Sequence, residues 1–237
     1  MRLRIGLRAC GMTAALLGTT LGVAAPSQAC NTTPQAEAYV VAAQAFDGLV
    51  AVAPTPDSKF APGGTVSVDG LNVGPVSTDA TLTATTAGDA KAGTASASAT
   101  GDDLTLTVPL VGALNATGIK ATCNAPVEPG KATGAGSIGT ATFTPVPPSA
   151  PLPALPPVTI KIPAGVNQTV SVPSLGTIVF NKQNTDKDGN LTVEAADVTL
   201  TAGQEAVLGY AMCGGAAPSS DGPMHAMHAT QMMHATR

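Results

Sequence analysis

The sequence predicts an all-β fold, an antiparallel β-sandwich-like architecture, and three observations carry that expectation. Short runs alternate apolar and polar residues with a period of two. Gly, Pro, Asp and Asn interrupt these runs about every ten residues, the spacing of sandwich and barrel proteins. No long apolar repeat of helical period lies between them to supply the crossovers that parallel strands need. Composition agrees: the 237 residues include 26 Gly and 20 Pro, no Trp and 3% aromatics, while the abundant Thr and Val suit a pleated, half-buried surface. A core built from such small side chains is modest in stability per residue and gains from a covalent link.

The chain opens MRLRIGLRACGMTAALLGTTLGVAAPSQA. Arg2, Arg4 and Arg8 precede an apolar stretch from Ala14 to Ala25, and Ser27-Gln28-Ala29 places small residues where a signal peptidase reads. Residues 1–29 are therefore expected to be a secretory signal peptide cleaved after Ala29, giving a secreted, extracellular or cell-surface product. The apolar stretch is too short to span a bilayer comfortably, so no integral membrane span is expected in the mature chain. Cleavage leaves Cys30 first, which makes it a candidate for lipidation of the bacterial lipoprotein type. Ser27 stands where such sites usually carry Leu, and this favours an ordinary thiol. Removing the signal lowers the eleven basic residues to eight against fifteen acidic ones, a mature net charge of −7. The lysines are scattered singly and aromatics are few, so neither nucleic acid nor an anionic membrane surface is expected as a partner.

The strands can be justified in order. Pro34 to Phe46 (PQAEAYVVAAQAF) is alanine-rich enough to pass for a helix on propensity. Asp47-Gly48, however, is a favoured two-residue hairpin turn, and it predicts a strand there paired with LVAVA. TVSVDGLNVG from Thr65, TLTATTAG from Thr81 and DLTLTV from Asp103 follow, each alternating before a turn signal. Further strands are predicted at Ser137 to Thr144, Val158 to Ile162, Thr169 to Val172, Thr177 to Phe180, Leu191 to Leu200 and Ala206 to Met212. Pro145 to Pro157 (PVPPSAPLPALPP) holds seven prolines and cannot sit inside a sheet, because proline donates no ladder hydrogen bond. It reads as an extended connection between a first β block, residues 30–144, and a second, residues 158–215, expected to share one domain. TVSVDGLNVG and TVSVPSLGTI give the two blocks a weak internal similarity.

After cleavage the cysteines are Cys30, Cys123 and Cys213. Outside the cell, Cys123 and Cys213 are the natural disulfide pair, each closing a β run, and Cys30 is the odd one. Asn184 to Asn190 (NTDKDGN) has the oxygen ligands and glycine that begin a calcium loop, but Ala195 stands where the bidentate carboxylate belongs. The alternative is a hairpin loop rich in turn residues. No enzyme is expected. Every histidine lies at or beyond residue 225, which removes His-dependent nucleophilic catalysis and the usual zinc sites from the β region. Paired carboxylates exist at Asp102-Asp103, Asp186/Asp188 and Glu194/Asp197, each in or beside a turn signal and none among substrate-binding aromatics.

Residues 216–237 form a Met/His-rich tail. Met224, His225, Met227, His228, Met232, Met233 and His234 interleave within MHAMHATQMMH. No cofactor is expected unless this segment binds copper, since thioether favours Cu(I) and imidazole binds Cu(II). The competing reading is a short helix or an unstructured end.

The order SIGTATFT, a proline-rich stretch, SLGTIVFNKQNTDKDGNLTVEAADVTL and AVLGYAMC resembles the choice-of-anchor P family of actinobacterial exported proteins, over about residues 37–213. That resemblance implies an exported, surface-associated β protein of unknown role, displayed through variable C-terminal anchors. After Cys213 this chain instead reads GGAAPSSDGP and then the Met/His segment. Two functions are expected: a non-catalytic structural or adhesive cell-surface protein, or an extracellular copper-binding protein acting through its tail.

Overall fold

The computed structural model describes residues 33–45, 50–128, 130–146, 155–200 and 204–216. The expected signal peptide, Cys30, the Asp47-Gly48 turn and the Met/His tail lie outside the described residues. Within them every regular element is a β-strand and every described strand pair is antiparallel.

Among the described residues fifteen strands form two sheets. In chain order they are β1 Gln35–Ala45, β2 Val50–Lys59, β3 Gly64–Val73, β4 Val76–Asp89, β5 Thr94–Gly101, β6 Leu104–Val108, β7 Gly112–Thr117, β8 Ile119–Ala125, β9 Thr133–Ser137, β10 Thr140–Pro145, β11 Val158–Ile160, β12 Gln168–Val172, β13 Gly176–Thr185, β14 Leu191–Leu200 and β15 Glu205–Gly214. The smaller sheet has the order β12-β13-β14-β15-β1-β2. The larger runs β11-β10-β7-β6-β4-β5-β8-β9, with β3 also paired to β4.

The sheets do not divide where the proline-rich stretch divides the sequence. Strands β1 and β2 precede that stretch yet complete the smaller sheet beside β15, while β11 follows it and pairs with β10 in the larger. Alternation tells which face of a strand is buried and not which strand lies beside it.

Two further differences have local causes. SIGTATFT is not one strand: β9 ends at Ser137, the chain turns through Ile138-Gly139, where the Gly139 N–H donates to Thr117 O at 2.8 Å, and β10 starts at Thr140 on a different neighbour. Strand β5 (TASASATG) escapes hydrophobic periodicity altogether. Its buried residues are Ala95, Ala97 and Ala99 and its outward ones Ser and Thr, a contrast too small to register as apolar against polar.

The core fills the space between the sheets with small side chains. Ala36, Ala38 and Val40 of β1 face β4 and β5 of the other sheet, and β15 packs on β5 and β8. Cys123 of β8 and Cys213 of β15 form a disulfide across this interface, with Cα atoms 5.7 Å apart.

One irregularity crosses the smaller sheet from strand to strand. In β1, Val40 and Val41 are both fully buried, and so are Ala195 and Ala196 in β14, where strict alternation would expose one of each pair. In register with them stand Gly209 of β15 (φ 63°) and Asn181 of β13 (φ 47°). The pleat reverses at the same row on all four strands. Residues with odd spacing across that row therefore share a face.

Candidate functional site on the outer face of the smaller sheet

Immediately beside the reversal, one cross-strand row gathers chemistry that is sparse elsewhere. Its members are Lys182, Glu194, Tyr210, Tyr39 and Asp57, contributed by β13, β14, β15, β1 and β2. The next row adds Thr192, Met212, Glu37 and Lys59.

Tyr39 and Tyr210 are the only tyrosines of the chain, and they stack with ring centroids 4.3 Å apart and planes 7° from parallel. The direct cross-strand pairing fixes this contact. Burial raises the Tyr39 hydroxyl pKa far above its ordinary range, helped by Tyr210 and by the carboxylates of Glu194, Glu37 and Asp57. Burial raises Tyr210 as well, against a hydrogen bond with Thr192. Both phenols therefore remain neutral hydrogen-bonding groups at any physiological pH.

Two lysines flank the rings, each between two carboxylates. Lys59 Nζ lies 3.2 Å from Glu37 and 3.4 Å from Asp57, with its side chain 60% exposed. Its pKa is raised first by the hydrogen bond to Glu37. Lys182 sits deeper and contacts Glu194 at 3.2 Å and Asp197 at 2.5 Å, the acidic side chains being only 11% and 18% exposed. Partial burial pulls the Lys182 ammonium down, but the hydrogen bond to Asp197 and the nearby carboxylates more than offset it, leaving the pKa raised. Burial pushes the Glu194 carboxyl up, against the pull of Lys182. Glu194 Oε2 is buried without a hydrogen-bond partner, because Lys182 approaches within ion-pair distance at a poor angle.

On the far side of Tyr39 a shallow groove of about 290 Å³ is lined by Ala42, Ala53, Pro54 and Val207, with Gln44 and Glu205 at its rim. An aromatic wall, an apolar floor and carboxylates at the border can bind a ligand that presents both apolar faces and hydrogen-bond donors. A smaller cavity, about 200 Å³, opens where β9 meets β13, lined by Ile138, Ile162, Phe180 and Asn181. Its one amide is already engaged, since Asn181 Oδ1 accepts from the Gly136 N–H at 2.8 Å.

The structure treats the sequence-derived candidates unequally. Cys123 and Cys213 are brought together. Asp102 serves a turn, accepting from the N–H groups of Asp103 and Gly118. Asp186 closes the NTDKDGN loop on itself by accepting from the Asp188 and Asn190 N–H groups and the Asn190 amide, as a hairpin loop does. Those hydrogen bonds outweigh its partial burial and hold its pKa low. Glu194 and Asp197 do converge, around a Lys182 that sequence reasoning left among the scattered cations. Among the described residues no three of His, Cys, Asp and Glu are placed to hold a metal ion together, and Met224, His225, Met227, His228, Met232, Met233 and His234 lie outside them.

The tyrosine pair was missed because Tyr39 sits in an alanine-rich run and Tyr210 far away in sequence, and only the β1–β15 register joins them. Comparison of the chain with protein-family models, curated proteins and solved structures finds no match.

Proposed function

We propose that this chain is an exported, non-catalytic, adhesive β protein of the cell surface, and that it binds through the outer face of its smaller sheet. The observation that carries the reading is the row of Tyr39 and Tyr210 with Glu194 and Asp57 beside an apolar groove. Tyrosine is enriched at protein contact surfaces, and this chain places both of its tyrosines side by side on one sheet face. The signal-peptide pattern of residues 1–29 and the resemblance to choice-of-anchor P proteins support export and surface display, with Cys30 as a candidate lipid attachment point. A charge of −7 after cleavage supports a partner other than nucleic acid.

Co-sedimentation with actinobacterial cell-wall particles tests this reading. The wild-type chain should pellet with the particles, and Tyr39→Ala/Tyr210→Ala, checked for an unchanged circular dichroism spectrum, should remain largely in the supernatant. Equal pelleting of the two proteins would sink the proposal.

A second reading rests on the Met/His segment alone. Three histidines and four of seven methionines within residues 224–234 form a ligand set suited to copper. Titration of Cu(I) and Cu(II) into chains with and without residues 224–237 should show binding that disappears with the segment.

A further inference from the structure

Lys182, Glu194 and Asp197 have a geometry that an ordinary surface ion pair does not need. In a regular strand, residues three apart point to opposite faces. Glu194 and Asp197 share the outer face only because Ala195 and Ala196 both turn inward at the pleat reversal. Lys182 reaches the same spot because the pleat of β13 reverses at Asn181, whose φ is 47°. The sheet thus aims one amine at two carboxylates that regular alternation would have separated.

The second amine cluster of the protein provides a contrast. Lys59 also lies between two carboxylates, but its side chain is 60% exposed and Asp57 is 37% exposed, so water solvates all the charges. At Lys182 the carboxylates are 11% and 18% exposed and one oxygen of Glu194 has no hydrogen-bond partner. Burial also favours the protonated form of Glu194, the form in which a carboxyl can give a proton and take one back.

We propose that Lys182 and Asp197 join in an intramolecular amide bond, with Glu194 as the proton shuttle, so that the mature protein carries a second covalent cross-link within the β13–β14 hairpin. The Lys182 ammonium passes a proton by way of Glu194 to the Asp197 carboxylate, leaving a neutral amine beside a neutral acid. The nitrogen lone pair attacks Asp197 Cγ, forming the C–N bond and a tetrahedral intermediate. Glu194 takes a proton from that nitrogen and delivers it to a departing hydroxyl, the C–O bond breaks, and water leaves. Amine plus acid gives amide plus water, Glu194 ends in the protonation state in which it began, and no oxidant or co-reactant is required. Holding the reacting groups in contact supplies the effective concentration that makes amide formation feasible. The proposal is independent of any ligand on the tyrosine face.

Intact-mass measurement of the purified, disulfide-bonded protein decides it. The protein should be one water molecule lighter than the mass of its sequence with the Cys123–Cys213 disulfide formed, and tandem mass spectrometry of a protease digest should find a branched peptide joined at Lys182 and Asp197. Lys182→Arg and Glu194→Gln should each have the full mass and yield only linear peptides there, with unchanged circular dichroism. A wild-type protein of full mass, or a lost water located at another residue, would overturn the cross-link. A branched peptide that persists in Glu194→Gln would overturn the role of Glu194. Lys182→Arg needs no folded state to be read, since its mass is measured on the denatured chain.

Discussion

Gly209 shows how much a single position can decide. Its φ of 63° lies in the left-handed region, and a Cβ there would stand 2.9 Å from Ile119 Cγ2 and 3.0 Å from Ala195 Cβ. The residue therefore serves twice, allowing β15 to reverse its pleat and allowing the opposite sheet to approach. Gly209→Ala is expected to destabilise by about 2–4 kcal/mol, roughly one from the left-handed backbone and the rest from overpacking. The midpoint of guanidinium unfolding measures it. A midpoint equal to wild type would mean that the row does not depend on this glycine. Part of this row is visible in the sequence, because Val40-Val41 and Ala195-Ala196 are apolar doublets inside alternating runs. A doublet alone does not announce that three neighbours reverse with it, and that coincidence is what puts Glu194, Asp197 and Lys182 together.

Among elements, β9 and the inter-sheet bridge are the instructive cases. Strand β9 pairs only with β8 and would offer a bare edge on its other side. The side chains of β13 cover it: Asn181 accepts from Gly136, and Gln183 Nε2 donates to Gly134 O at 3.1 Å. Gly136 has no side chain because a Cβ would stand 2.7 Å from Glu194 O. Strand β14 was legible because Leu, Val and Ala contrast with Thr, Glu and Asp on either side of its Ala195-Ala196 doublet. The glycine-rich β9 was not, since its stability comes from amides on a strand some fifty residues later. The Cys123–Cys213 bridge spans a sequence separation of 90 and joins β8 to β15. Both cysteines are at most 3% exposed. Cys123→Ser/Cys213→Ser is expected to lose about 2–5 kcal/mol, the usual effect of removing a native disulfide that closes a long loop. Thermal unfolding of this variant beside wild type checks it, and an unchanged melting temperature would show that packing alone holds the sheets together.

At the scale of the whole molecule, the composition foretold the core better than the order of strands foretold the sheets. Alanine and valine fill the interface between sheets, so each residue buries little apolar area. The all-β class follows from that composition and from period two. The partition into sheets of six and nine strands does not, because it depends on pairing over long sequence distances, such as β1 with β15. The same pairing has a mechanical meaning. Gln35 at the start of β1 lies opposite Gly214 at the end of β15, and the next pair is Ala36 with Cys213. Whatever precedes β1 and follows β15 thus leaves the protein from neighbouring points, so tension between them would peel the two strands apart like a zipper rather than shear them. The disulfide sits one rung from that entrance. The bridge at Cys213 would pass the load on β15 directly to β8 of the other sheet, so that β1 is the strand left to peel.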